Sequence, residues 1–287
     1  MKFSMYARLM ELLNSDGIEG AAKNAKENGY SGVEFLYYAN KPELIPSVEV
    51  AKEYKTVLDS FGLSVPCVSA VASIVTPEMP DVISSSDCEG LMKAVDFAAA
   101  IGAKFFHHTL VLSLNPAHKA IVSYDSIFPL VLEGAKKIAN YAASVGLTVL
   151  YEPQGFFFNG VEGVGRFYRE MKKHCPNVAI CGDVGNTYYA GEEPYALFEE
   201  FAQDIVHVHL KDWTFPSDTC DLSKLVTCEG VKLKPAVIGE GNIDIKRLLD
   251  ILKRAKYSGF MSIESSPSTA SPSVLSDVMK YVCENYE

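Results

Sequence analysis

TVLYE (148–152) is a short apolar run that stops on a carboxylate, and three later runs repeat the arrangement: VAICGD (178–183), IVHVH (205–209) and FMSIE (260–264). Runs of this length without a polar face read as strands buried on both sides. Their last residues, Glu152, Asp183, His209 and Glu264, are all metal-binding types. A parallel barrel opens the carboxyl ends of its strands onto one face, so residues far apart in sequence converge there. Three carboxylates and an imidazole make a hard-to-intermediate donor set, which suits one divalent ion, Mn²⁺ first, with Mg²⁺, Co²⁺ or Zn²⁺ as alternatives.

Working outward, these runs occupy candidate strands 147–152, 177–183, 204–211 and 259–264, and four more precede them: KFSMY (2–6), GVEFL (32–36), LSVPCVSA (63–70) and KFFHH (104–108). Helix-period stripes lie between. Val131, Leu132, Ala135, Ile138, Ala139 and Ala142 form one; Leu91, Ala94, Val95 and Ala98 a second; Leu248, Leu249, Leu252 and Ala255 a third. Eight strand-then-helix units predict an α/β fold, a (β/α)₈ TIM barrel formed as a single domain over residues 1–287. A doubly wound open sheet is the competing architecture, but no GxGxxG loop follows the first strand. GVEGVG (160–165) falls where a helix starts and reads as helix-entry chemistry. Residues 71–86 and 212–238 form long connections of the kind used as lids, binding loops or oligomer contacts.

With 287 residues and 48% apolar content, the chain can fill a large core. A formal charge of −10 opposes binding to a nucleic-acid backbone. Seven cysteines, with no CxxC pair, suggest neither a disulfide framework nor a zinc ribbon, and fit a reducing cytoplasm. Arg8 and Glu11 interrupt any apolar signal core, and no run of about 18 apolar residues occurs, so no membrane span is expected.

His207 and His209 are two apart in a strand and face the same way, into the barrel. The outer one, His209, is the candidate ligand, and His207 stands behind it or against substrate. His107 and His108 close the fourth strand, where one should face the mouth; both are candidate substrate contacts. Trp213, Tyr188 and Tyr189 are candidate pocket walls. Phe156, Phe157 and Phe158 form either an apolar wall or a core plug, Glu34 touches substrate or caps a turn, and Glu240 orders its loop.

GYSGVEF (29–35), GDVGNTYYAGEEP (182–194), HVHLKD (207–212), IGEGNIDI (238–245) and YSGFMSIESS (257–266) together resemble the xylose-isomerase-like barrel superfamily of sugar isomerases and epimerases, inosose dehydratases and endonuclease IV enzymes. The resemblance spans essentially the whole chain. It implies that Glu152, Asp183, His209 and Glu264 hold one divalent ion. It also implies that Glu152 and Glu264 act as an acid/base pair, as in ketose 3-epimerases. Lys211 is then a cation near the mouth, or an ordinary partner of Asp212 or another neighbour. Asn186 stands where many relatives carry a histidine, a poor metal ligand but able to bind a substrate hydroxyl. The chain departs from the repair endonucleases at KPAVIGEG (234–241) and from ketose epimerases at PQGFFFNG (153–160).

The expected activity is isomerisation or epimerisation of a sugar or sugar derivative, by proton abstraction next to a carbonyl through an enediolate. A lyase acting on a keto-sugar or inosose, including 3-keto-glycoside cleavage, is the alternative, and a non-catalytic sugar-binding barrel is a second. The expected partners are a small carbohydrate and a possible second copy of the chain, with neither nucleic acid nor membrane.

Overall fold

The computed structural model describes residues 1–216, 225–264 and 271–286, which leaves Cys220 and the end of the YSGFMSIESS string outside the described residues. Parallel strands β1 (Lys2–Met5), β2 (Gly32–Val33), β3 (Phe35–Tyr38), β4 (Cys67–Val71), β5 (Phe105–His108), β6 (Thr148–Tyr151), β7 (Val178–Asp183) and β8 (Ile205–Leu210) lead to β12 (Phe260–Ile263). Their order is β2-β1-β12-β8-β7-β6-β5-β4-β3. β2 and β3 are halves of one strand broken at Glu34: Ser4 pairs with Gly32 on one side of the break and Phe35 with Val68 on the other. The ring therefore closes through Glu34. All eight strand positions read from the sequence are present, and with their helices they form the expected α/β barrel.

Among the described residues, eight helices surround it: α1 (Leu9–Glu27), α2 (Val48–Ser60), α3 (Ser85–Ile101), α4 (Tyr124–Ser144), α5 (Arg166–His174), α6 (Tyr195–Phe201), α7 (Ile245–Arg254) and α8 (Pro272–Tyr286). The apolar stripes of α3, α4 and α7 are buried against the strands, with Leu132 and Ala255 at their half-buried edges. Ser84 caps α3, and Ser123 with Ser126 forms a reciprocal cap on α4. GVEGVG is a π-helical turn, Val161–Gly165, that runs into α5.

The 212–238 connection is not an open loop. It contains β9 (Asp212–Thr214), β10 (Leu225–Val226) and β11 (Lys232–Ala236), an antiparallel ribbon in the order β10-β11-β9. The sequence hides these strands because they are only 3, 2 and 5 residues long and Pro235 argues against a strand interior.

Inside the barrel, side chains stack in layers. Cys67, Phe105, Leu150, Ala179 and Cys181 pack together as an apolar floor. A polar layer of Ser4, Glu34, Ser69, His107, His207 and Ser262 is buried, with Glu34 at 0% exposure. The carboxyl ends of β6, β7, β8 and β12 stand beyond it.

Candidate active site

Three carboxylates converge on one ring nitrogen. His209 Nδ1 lies 2.9 Å from Glu152 Oε2, 3.7 Å from Glu264 Oε2 and 3.9 Å from Asp183 Oδ2. Each of the four residues lies at or beside the carboxyl end of a different strand, and period-two alternation points each inward. Tyr6 stacks on His209 with ring centroids 4.8 Å apart and fixes the imidazole plane. Asp183 uses Oδ1 to accept the amides of Gly185 and Asn186 at 2.8 and 2.7 Å. Its Oδ2 therefore turns toward His209 and Lys211.

Lys211 enters the same cluster. Its Nζ lies 2.9 Å from Asp183 Oδ2, 2.8 Å from Glu264 Oε2 and 2.9 Å from Asn186 Oδ1. Buried Asp183 Oδ2 still receives no well-aligned hydrogen bond. Asn186 turns its amide nitrogen to Gln154 Oε1 at 3.0 Å and toward Glu152 Oε1 at 3.4 Å. Gly185 permits this crowding, since a Cβ there would meet Trp213 Nε1 at 2.5 Å and Lys211 Cγ at 2.7 Å.

Lys211 and His209 are the cationic partners of these carboxylates. Burial pushes Glu152 up to about 7, against the lowering effects of His209 and Lys211. Burial raises Glu264 as well, against Lys211. For Lys211, burial opposes the charge, but Asp183, Glu264 and Glu152 hold it well above its usual value. His209 is likewise raised despite burial, with Cys181, Glu34 and Glu152 among the causes. Burial is what keeps these two carboxyls raised, and a divalent cation held among them would favour their ionised forms. The donor set and the under-coordinated Asp183 oxygen thus fit such an ion.

Beneath the cluster lies a group that sequence reasoning placed differently. Glu34 neither reaches the mouth nor caps a turn. Its Oε1 accepts Ser69 Oγ at 2.7 Å and His209 Nε2 at 3.0 Å, and its Oε2 accepts His207 Nε2 at 2.8 Å and the Ser262 hydroxyl. Burial alone would raise this carboxyl, but His209 and His207 hold it well below the usual range. Tyr6, Ser69, Ser262 and Gln154 were also missed. Polar residues at the inward parity of otherwise apolar strands were the available signal for Ser69 and Ser262.

Some candidates are not brought to the cluster. His108 points outward to the helical layer: its Nδ1 is 3.0 Å from Thr109 O, and its ring meets Tyr151 edge-on at 5.4 Å. Alternation along β5 sends His107 in and His108 out, so the two adjacent histidines do not share a face. His107 Nε2 reaches within 3.4 Å of Glu152 Oε1. Trp213 is 6% exposed; its indole N–H donates to Gly185 O at 3.1 Å and its ring packs on Tyr189. Phe156, Phe157 and Phe158 are all buried, and Phe158 packs on Tyr124 and Phe167 at 4.9 and 5.4 Å, which is the core-plug arrangement.

Lys211 does not pair with Asp212. That carboxylate instead accepts the amides of Trp213, Gly239, Gly241 and Ile243 at 2.8 to 3.2 Å and so orders the GEGNID loop. Glu240, expected in that role, is exposed. A cavity of about 430 Å³ ringed by Lys2, Lys55 and Lys104 opens at the amino ends of the strands, remote from the carboxylates. That end of a barrel serves stability. No helix among the described residues is long and apolar enough to cross a membrane.

Residues 22–283 match the model of a family described as xylose isomerase-like TIM barrel. Inosose dehydratase of Histophilus somni is 32% identical over 201 residues, which cover 64% of this chain and 65% of that protein. The chain thus spans just under two thirds of that relative, and about half of the Clostridium botulinum inosose dehydratase to which it is 30% identical. Among solved structures, 3-keto-D-glucoside 4-epimerase from E. coli is similar at a TM-score of 0.72 and 18% identity, with 99% of both chains covered. D-allulose 3-epimerase from Methylomonas sp. is similar at a TM-score of 0.71 and 17% identity, with 99% and 98% covered. At those identities the likeness is one of fold. The family match runs through the strands that carry Glu34, Glu152, Asp183, His209 and Glu264, and the chain belongs to the xylose isomerase-like TIM barrel family.

Proposed function

We propose that this protein is a divalent-metal-dependent enzyme that removes a proton next to the carbonyl of a sugar or sugar derivative, and that it acts as an isomerase or epimerase. One observation carries the reading: Glu152, Asp183 and Glu264 all present oxygens to His209 Nδ1 within 3.9 Å. In this reading Glu152, Asp183, His209 and Glu264 are the ligands, with Mn²⁺ the preferred ion on donor type. An ion held by these four residues would supply Lewis-acid polarisation of the carbonyl and neutralise charge that builds on its oxygen.

The side chains divide the remaining work. Glu152 and Glu264 exchange the carbon-bound proton, one withdrawing it and the other returning it, which inverts a centre when they address opposite faces of the substrate. Lys211 and Asn186, held together at 2.9 Å, bind substrate oxygens beside Asp183. His107 sits against Glu152 and binds the substrate from the β5 side, with His207 supporting from below. His108 and Trp213 are too well packed to share that task.

A second reading, a lyase or dehydratase, is favoured by the inosose dehydratases among the relatives. It uses the same first step, followed by loss of a group from the adjacent carbon.

The test is turnover of keto-sugars and inososes in D₂O with Mn²⁺ present. A product of unchanged composition carrying one solvent deuterium supports the isomerase or epimerase, and loss of water or an aglycone supports the lyase. Glu152→Gln and Glu264→Gln should each lower kcat by at least about 100-fold. Full activity in both variants, or no deuterium exchange with any of these ketones in metal-loaded protein, overturns the reading.

A further inference from the structure

A carboxylate has no hydrogen to give, so every contact of Glu34 fixes where a proton sits on its partner. Glu34 is fully buried, and four donors reach it: Ser69 Oγ, His209 Nε2, His207 Nε2 and Ser262 Oγ. Both histidines must therefore carry hydrogen on Nε2. The direction then propagates. Ser69 spends its hydrogen on Glu34, so its oxygen accepts from His107 Nδ1 at 3.0 Å, and His107 carries its hydrogen on Nδ1. Ser262 likewise spends its hydrogen on Glu34 and accepts from Ser4 Oγ at 2.6 Å.

We propose that Glu34 is a positioning residue that sets the proton placement of three imidazoles at once, and so aims His209 Nδ1 and His107 Nε2 at the carboxylate cluster. Nδ1 of His209 becomes the ring atom able to exchange its proton for a cation, since Nε2 is committed 3.0 Å from Glu34. His107 turns an unprotonated Nε2 toward Glu152 Oε1 at 3.4 Å. Glu34 occupies the break between β2 and β3, where the chain deviates from regular strand and brings both carboxylate oxygens to the barrel axis. A polar group at this depth without partners is strongly disfavoured, so the four donors and the carboxylate hold one another in place.

Long-range ¹H–¹⁵N correlation spectra of histidine-labelled, ion-free protein test the claim without any substitution. Hydrogen on Nε2 of His207 and His209 and on Nδ1 of His107 is the expected result. Hydrogen on Nε2 of His107, or none on Nε2 of His209, overturns it.

Glu34→Gln adds a second arm, which rests on the metal reading above. The amide keeps the shape but puts a donor against groups that already donate, so at least one imidazole should change its protonated nitrogen and Mn²⁺ should bind about 10- to 100-fold more weakly. Unchanged spectra and affinity in a folded variant overturn the proposal. If Glu34→Gln does not fold, Ser69→Ala replaces it: the fixed proton on His107 should be lost while Nε2–H of His209 remains, and an unaltered His107 overturns it. A wild-type protein that binds no divalent ion defeats the metal reading, whereas the ion-free spectra still decide the role of Glu34.

Discussion

Lys211 shows how much depends on a single side chain, because its ammonium shares Asp183 and Glu264 with any incoming cation. Lys211→Met should lower the melting temperature of ion-free protein, since removing one partner strands buried carboxylates, a change typically worth about 3 kcal/mol. The same variant should gain more stability from Mn²⁺ than wild type, as the ion meets less competition. Calorimetry with and without Mn²⁺ checks this, and an equal gain in both proteins contradicts it. His108 makes a separate prediction. Burial lowers its pKa from 6.5 to about 4, so the folded state resists a proton that the unfolded chain accepts. Its contribution is complete above pH 6.5 and is lost as the pH falls toward 4, by up to about 3 kcal/mol. His108→Gln should flatten that part of the stability curve in urea titrations between pH 7 and 4, and an identical slope refutes the assignment.

At the scale of elements, strand ends were easier to read than the segments that support them. TVLYE, VAICGD, IVHVH and FMSIE announced both their burial and their terminal ligand types, because a continuous apolar run of strand length is stable only where both of its faces are covered. Glu34 was legible as a strand residue but not as the closing point of the barrel. A break between β2 and β3 depends on which neighbours each half pairs with, and that is a tertiary fact. Of the adjacent His107 and His108, the pleat lets only one face the mouth, as alternation predicts, but which one depends on the strand's orientation in the barrel, and the structure makes it His107. Asp212 reads locally as a partner for Lys211, since the amides of Gly239, Gly241 and Ile243 come from a loop about 30 residues later, which no local pattern brings near. Asp212→Ala should leave four amides without their acceptor and destabilise the fold by about 3 kcal/mol. The same change should expose residues 239–243 to amide hydrogen exchange, and unchanged protection there would show that the loop is ordered by other contacts.

Across the whole molecule, the barrel turns a linear pattern into a radial one. β1 pairs with β12, so the first and last strands are neighbours, and residues from 34 to 264 meet around one axis. The family explains the architecture, and the reaction must be argued from side chains, because one barrel supports many chemistries. This centre is layered: an apolar floor, a fully buried Glu34 that fixes three histidines, and a carboxylate cluster gathered round His209 and Lys211. The most direct measurement is anomalous diffraction from crystals grown with Mn²⁺. The predicted result is a single peak at roughly 2.0–2.3 Å from His209 Nδ1 and from oxygens of Glu152, Asp183 and Glu264, with Lys211 drawn aside. A peak bound elsewhere, or no peak with Lys211 still joined to Asp183 and Glu264, would contradict it.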